Sequence, residues 1–274
     1  MIKTKRVVFY LIIIVICVIV LFPFYWLINT SLQPSSTLYD YPPKFSPTKE
    51  IFSTYFKYIQ TSKILLWLRN SFFVSIGSTI ISTLLAIPSA YAISRLKFRA
   101  KVPLIFLILI TQMLPLVLLV IPMYIYFSRI GLVNSLFGLL FIYAVITTPI
   151  GIWFLKGFID TIPLELEEAA MIDGCTRIGT LKKVILPIAF PGIIATGVWS
   201  FAVAWDEYLF AYTLLNNENL WVVSVGLSSH IGQWSTSWGD IMAGAALGTL
   251  PIVILFLIFQ RFLLSGLTAG AVKQ

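Results

Sequence analysis

An all-α, polytopic membrane protein with six transmembrane helices is the fold this sequence predicts, and three observations predict it. The chain of 274 residues is 59% hydrophobic and only 11% charged, with a mean hydropathy of +0.95; a soluble domain carries roughly a quarter charged residues. Uncharged runs at residues 7–28, 102–128, 133–155 and 241–260 each reach the roughly 20 residues that carry a helix across the hydrocarbon core. Two more runs, 70–94 and about 184–215, are interrupted by polar residues or proline and still read as spans.

The first run follows Lys3, Lys5 and Arg6, the layout of a signal peptide. It is too long for an h-region, lacks a small-residue cleavage site and ends in Pro23, Phe24, Tyr25 and Trp26. Residues 1–28 therefore read as the N-terminus and a retained first span, with the aromatic cluster in the outer interfacial belt. Residues 29–69 form an external loop. Its first half is turn-rich through Pro34, Pro42, Pro43 and Pro47, and its aromatic second half, 51–67, predicts a short helix against the membrane surface.

Span two carries Ser78, Ser82, Ala86 and Ala90 at four-residue spacing, a seam along which another helix backbone can approach closely. Gly244 and Gly248 repeat the device in span six. Packing accounts for both seams, and such seams also line transport cavities. Seven prolines stand inside spans: Pro88, Pro115, Pro122, Pro149, Pro187, Pro191 and Pro251. Each removes a backbone donor and is tolerated in lipid only where neighbours or water re-satisfy the freed carbonyl. A conduit offers such places; a simple anchor has no use for them.

A net charge of +8 suggests nucleic acid, but the distribution gives another cause. With six helices and the N-terminus inside, only Lys44, Lys49, Lys57, Lys63, Arg69 and Arg129 of the 19 Lys and Arg fall outside. This positive-inside bias places both termini in the cytoplasm and names no nucleic-acid partner. Cys17 lies mid-span and Cys175 in a cytoplasmic segment, so no disulfide is expected.

Polar groups within spans are few. Gln112 sits in the middle of span three, and Asp206 and Glu207 are the only acids in any span. Asp206 lies roughly 22 Å along the helix from Pro191 at 1.5 Å per residue, in the outer half of the bilayer. Two readings fit it: a snorkelling pair at the rim, or a wall of a wet cavity in which Trp205, Asp206 and Tyr208 meet a polyhydroxylated solute. Carboxylates accept hydroxyl hydrogen bonds, and aromatic rings cover apolar sugar faces. With Gln112, these three are the candidate substrate-path residues.

Between residues 158 and 184 the polarity changes abruptly. Pro163 suits the start of a helix, where its missing N–H is not needed. Glu165, Glu167 and Glu168 occupy the first turns, where acids complement the positive helix end. Ala169 and Ala170 give a small helical face, and Gly174 can end the helix. A second short helix from Arg177 to about Lys183 leads to Pro187. The product is a stiff helix–turn–helix at about 163–183 lying across the cytoplasmic membrane face, its three acids offered to another protein. An ordinary well-capped loop is the alternative.

Glu168-Ala169-Ala170, then Gly174, then Val184-Ile185-Leu186-Pro187 resembles the EAA motif of the permease subunits of ABC importers. Valine stands for the usual isoleucine at 184 and cysteine for the common alanine at 175. Asn70-Ser71, the stretch from Ala90 to Arg95 and the stretch from Leu267 to Lys273 are similar to the MalG-like permeases of carbohydrate ABC importers, over nearly the whole chain. The resemblance implies a permease core at 70–274 with a coupling helix whose docking residues are Glu168, Ala169, Ala170, Asp173 and Gly174, with Leu186 and Pro187 closing the motif. It implies a MalF-like permease completing a heterodimer, an ATPase homodimer that binds the ATP and magnesium, an extracellular sugar-binding protein, and a tail at 261–274 that reaches the ATPases. The chain itself then holds no cofactor or metal and is no enzyme. The family has asparagine where this chain has Asp206, which leaves a solute role for that residue open. The implied function is import of an oligo- or disaccharide, with another polyol or a sugar phosphate as alternative solutes.

A secondary transporter driven by ions is the competing class. It calls for ionisable groups near mid-membrane and inverted repeats with broken helices, and the sequence displays neither clearly. A membrane-embedded enzyme would require His, Asp or Glu clustered at one depth; Asp206 and Glu207 stand alone, and His230 falls in an external loop as a surface residue.

Overall fold

The computed structural model describes the backbone of residues 2–48, 51–232 and 236–271, and the side chains of residues 6–34, 36–48, 52–232 and 236–262. Helices α1 (Ile2–Ser31), α2 (Ile51–Thr61) and α3 (Ile64–Arg95) are followed by α4 (Lys101–Met113), α5 (Leu116–Arg129) and α6 (Leu136–Asp160). Then come α7 (Leu164–Ile172), α8 (Arg177–Thr180), a π-helical turn (Leu181–Ile185), α9 (Leu186–Ile188), α10 (Phe190–Asp206), α11 (Leu209–Leu214), α12 (Val223–Ser228) and α13 (Trp238–Ala271).

Four helices are long and apolar enough to cross a membrane unaided: Arg6–Ser31, Ile64–Arg95, Leu136–Asp160 and Trp238–Phe262. The other two spans are broken. Lys101–Met113 and Leu116–Arg129 meet at 97°, and Arg177–Ile188 meets Phe190–Asp206 at 76°. The count of six holds when each bent pair is one span, but spans three and five are not the continuous helices their composition suggests. The first break has a local cause. Pro115 donates no N–H and disfavours helical backbone in the residue before it, and Leu114 is extended with ψ 125°. Pro23, Pro88, Pro122, Pro149 and Pro251 all lie inside continuing helices.

The chain divides into two compact units. One comprises Met1–Leu65 with Gly226–Pro251. Here the loop after α1 folds back on the helix: Asn29 and Gln33 donate side-chain hydrogen bonds to the carbonyl of Lys44, at 2.9 and 2.6 Å, and Trp26 meets Phe45 edge-on at 5.4 Å. Where the sequence predicts a short helix over 51–67, α2 covers Ile51–Thr61, and residues 64–67 already belong to α3. Helix α2 exposes Phe52 and Phe56 one turn apart and buries Tyr58. The Tyr58 hydroxyl lies 3.2 Å from His230 Nε2. A Cβ at Gly244 would lie 2.3 Å from Leu227 Cδ2 and 2.5 Å from that hydroxyl, so the glycine seam of span six is a packing surface here.

The second unit, Leu66–Val225 with Ile252–Gln274, holds two apolar clusters. One gathers Val74, Leu139, Tyr143, Phe210 and Leu214 among others; the other gathers Ala86, Ala90, Tyr91, Leu155, Ile159 and Ile185. The small-residue seam runs toward this second cluster. Ser78, Ser82, Ala86 and Ala90 are all fully buried, and a Cβ on Gly151 of α6 would stand 3.4 Å from Ala86 Cβ and 3.3 Å from Thr196 Cγ2 of α10. Three helix backbones close on one crossing because none carries bulk there.

Candidate functional site

The polar segment between α6 and α10 folds as a helix–turn–helix. Pro163 occupies the N-cap of α7 in extended conformation, and the helix ends at Gly174 with φ +87°. A backbone there is left-handed, which costs an L-residue but not glycine. Cys175 N–H donates to the Ala170 carbonyl at 3.0 Å and Gly174 N–H to Met171 at 3.1 Å, closing the C-terminus. Thr176 then caps α8, accepting from Gly179 N–H at 3.1 Å. The π-helical turn that follows widens the backbone before the 76° bend. Such single π turns often mark functional sites.

The helix has two faces. Ala170 and Glu167, three residues apart, point inward. Glu168, Ala169, Asp173 and Gly174 are exposed, as are Glu165 and Pro187, and Leu186 is half-buried. Exposed apolar side chains join them: Leu164, Leu166, Met171, Ile172 at 86% and Ile178 at 67%. The outward surface thus carries three acids, Glu165, Glu168 and Asp173, among aliphatic side chains.

The expected trio of outward acids is reduced to Glu165 and Glu168. Glu167 is turned inward and pairs through Oε1 with Arg95 Nε, with side chains 6% and 8% exposed. Tyr91 donates to Glu167 Oε2 at 3.1 Å. Arg95 Nη2 donates to the carbonyls of Ile159 at 2.8 Å and Ile162 at 2.6 Å. These carbonyls stand at the end of α6, where intrahelical donors have run out. Sequence reasoning missed this group. Arg95 and Glu167 are 72 positions apart, and only the shared helix face of Glu167 and Ala170 hinted that one acid turns inward.

The candidate substrate-path residues do not converge. Gln112 lines a hollow of about 740 Å³ where α4 bends into α5, walled by Thr111, Leu116, Pro149, Trp199 and Phe210. Trp205 is buried, stacked on Phe201 at 5.3 Å and edge-on to Phe72 at 4.9 Å. Asp206 is exposed, and Tyr208, also exposed, stacks on Tyr212 at 5.3 Å. Glu207 works structurally. Its carboxylate accepts from Phe210 N–H at 3.0 Å and from the Tyr143 hydroxyl at 2.7 Å, starting α11 after the break that ends α10.

Two residues quoted only for likeness also have a structural task. Asn70 donates to the carbonyls of Asn219 at 3.0 Å and Trp221 at 2.9 Å, and Ser71 accepts from Val223 N–H at 2.8 Å. The N-terminal part of α3 thereby pins the chain between α11 and α12. Both cysteines are free thiols. Among the described residues, no group of three or more His, Cys, Asp or Glu side chains could hold a metal ion. Of the tail at 261–274, α13 continues as helix to Ala271, and residues 272–274 lie outside the described residues.

Comparison with known proteins places relatives around this geometry. The family described as "binding-protein-dependent transport system inner membrane component" matches residues 78–268. The sulfoquinovosyl glycerol transport system permease protein SmoH of Agrobacterium fabrum is 36% identical over 253 residues, covering 92% of this chain and 89% of that protein. The trehalose/maltose transport system permease protein MalG of Thermococcus litoralis is 33% identical, covering 98% and 97%. A solved bacterial ABC transporter involved in the import of the acidic polysaccharide alginate superposes with a TM-score of 0.78. It is 20% identical and covers 94% of this chain and 96% of that one, a likeness of fold.

Proposed function

We propose a specific role on one premise: the chain belongs to the family of binding-protein-dependent transport system inner membrane components. It is a membrane-embedded permease subunit of an ABC importer and not an enzyme. The proposal is that it imports an oligo- or disaccharide, forming half of the pathway with a second, MalF-like permease. An ATPase homodimer binds the ATP and magnesium on the cytoplasmic side, where both termini also lie, and an extracellular binding protein delivers the sugar. The named relatives, which transport a sulfoquinovosyl glycerol and trehalose or maltose, support a carbohydrate as the solute.

One observation carries the coupling part: α7 offers Glu168, Ala169, Asp173, Gly174 and Ile172 to the outside while its other face is buried. A rigid helix with an amphipathic outer face is a handle that a nucleotide-driven partner can grip. Closure of the ATPase pair pushes on α7. The push passes along the chain to α6 through residues 161–163 and to α10 through α8 and the π turn, tilting both against the second permease. That tilt exchanges access to the pathway between the two membrane faces.

The test is co-purification of the companion ATPase from membranes holding the complete importer. Ile172→Asp should reduce ATPase recovery at least tenfold while the permease stays in the membrane. Recovery equal to the parent would refute docking at α7. Uptake that continues after the ATPase is inactivated would instead favour ion-driven transport.

A further inference from the structure

We propose that Arg95 and Glu167 are positioning residues that bolt the coupling helix to α3, so that a push on α7 reaches three spans rather than two. The inference rests on reading α7 as the docked helix and adds how its motion is transmitted. By chain connection alone, α7 is joined to α6 before it and to α8 after it. No covalent route leads to α3, whose last residue is Arg95.

The guanidinium supplies that route. Its Nε meets Glu167 of α7, and its Nη2 meets the last carbonyls of α6 and of the link to α7 at Ile159 and Ile162. Arg95 Nη1 lies 3.5 Å from Ser94 Oγ, whose hydroxyl donates to Asp160. One side chain thus holds three elements with a planar fork, which an ammonium group could not reproduce. Both oxygens of Glu167 are engaged, one by Arg95 and one by Tyr91 of α3. Buried at 5% exposure, that carboxylate is out of reach of an outside partner, which separates its role from that of exposed Glu168. Burial makes the joint stiff: water cannot replace either partner, so rotation of α7 away from α3 would strand two charges.

The test measures rigidity directly in the complete importer. Spin labels are placed at Leu164→Cys, at the end of α7 away from the proposed docking residues, and at Leu85→Cys on α3, both exposed, with Cys17 and Cys175 replaced by serine. Pulsed-resonance distance distributions are recorded without nucleotide and with ATP–vanadate. The parent should give one narrow distribution, unchanged between states. Glu167→Gln should broaden it at least twofold and make its mean depend on nucleotide, while the ATPase co-purifies at parental yield. Equal widths in parent and variant, or a parent distance that itself shifts with nucleotide, would overturn the clamp. Should Glu167→Gln fail to accumulate, Tyr91→Phe removes a single hydrogen bond and should broaden the distribution partially; no broadening there also overturns it. The nucleotide-free comparison does not need a docked ATPase. Loss of the ATPase from the parent complex would therefore count against docking alone, leaving the clamp judged by the widths.

Discussion

Two carboxylates, buried Glu167 and half-buried Glu207, sit in one unit and are stabilised by opposite means. Glu167 faces a guanidinium and a hydroxyl contributed by α3. Glu207 has neutral partners: the N–H groups of Phe210 and Ala211 at the start of α11, and the Tyr143 hydroxyl. The first joins elements far apart in the chain, so it can transmit force between them. The second is mostly local. Together with the Ser224 hydroxyl, which donates to the Glu207 carbonyl at 2.9 Å, it fixes a break in the fifth span. A charge paired with a charge makes a joint between helices; a charge set on helix-end dipoles makes a corner within one.

The largest effect that bears on this contrast is Arg95→Ala. It strands Glu167 without its counter-charge and frees two carbonyls, so a loss of about 3–5 kcal/mol is expected, read as a lower unfolding temperature of the purified complex. Glu207→Ala should cost about 1–3 kcal/mol, because three donors, among them the buried Tyr143 hydroxyl, lose their acceptor. Glu207→Gln keeps one acceptor oxygen and strands no cation, so it should be milder than Glu167→Gln. If the two glutamine variants melt together, the distinction between joint and corner collapses. Gly174→Ala should cost about 1–2 kcal/mol, through backbone alone, since no atom lies within 4 Å of the added Cβ. Reduced ATPase recovery should accompany it, because the C-terminal turn of α7 then reorients.

The smallest effect is expected in the other unit. Tyr58→Phe removes the hydroxyl near His230 and should cost about 1 kcal/mol, with no change in ATPase recovery. Burial pushes the Tyr58 hydroxyl up from 10.0 to about 12. The folded form therefore holds its proton longer than the unfolded chain. Stability from this group is complete below pH 10 and is lost as pH rises toward 12. The parent should lose melting temperature faster than Tyr58→Phe across that window, and parallel curves would show that Tyr58 is not the source.

Much of the handle is legible in the residue order. Pro163 and Gly174 bound α7 because one lacks an N–H and the other tolerates positive φ, and both properties belong to the residue itself. The buried seam through Ser78, Ser82, Ala86 and Ala90 is legible because small side chains at four-residue spacing can do little in a span besides admit another backbone. Seven mid-span prolines look alike in sequence, yet Pro115 heads a right-angled break while Pro122, two turns into the helix that Pro115 caps, lies inside a continuing turn. The residue before Pro115, Leu114, is extended, and the break borders the hollow lined by Gln112 and Trp199.

The same division runs through the acids. The order of apolar and polar residues determined that this chain lives in lipid with polar segments between its spans, since every long uncharged run must be buried from water. Only the tertiary structure decided that Glu168 faces outward while Glu167 locks to Arg95, and that Trp205 packs in a core while Asp206 stands exposed. Helical period sorts residues onto faces, but the element that comes to lie against each face is set by chain segments 70 or more positions away. Their meeting is a property of the packed bundle, not of any local stretch.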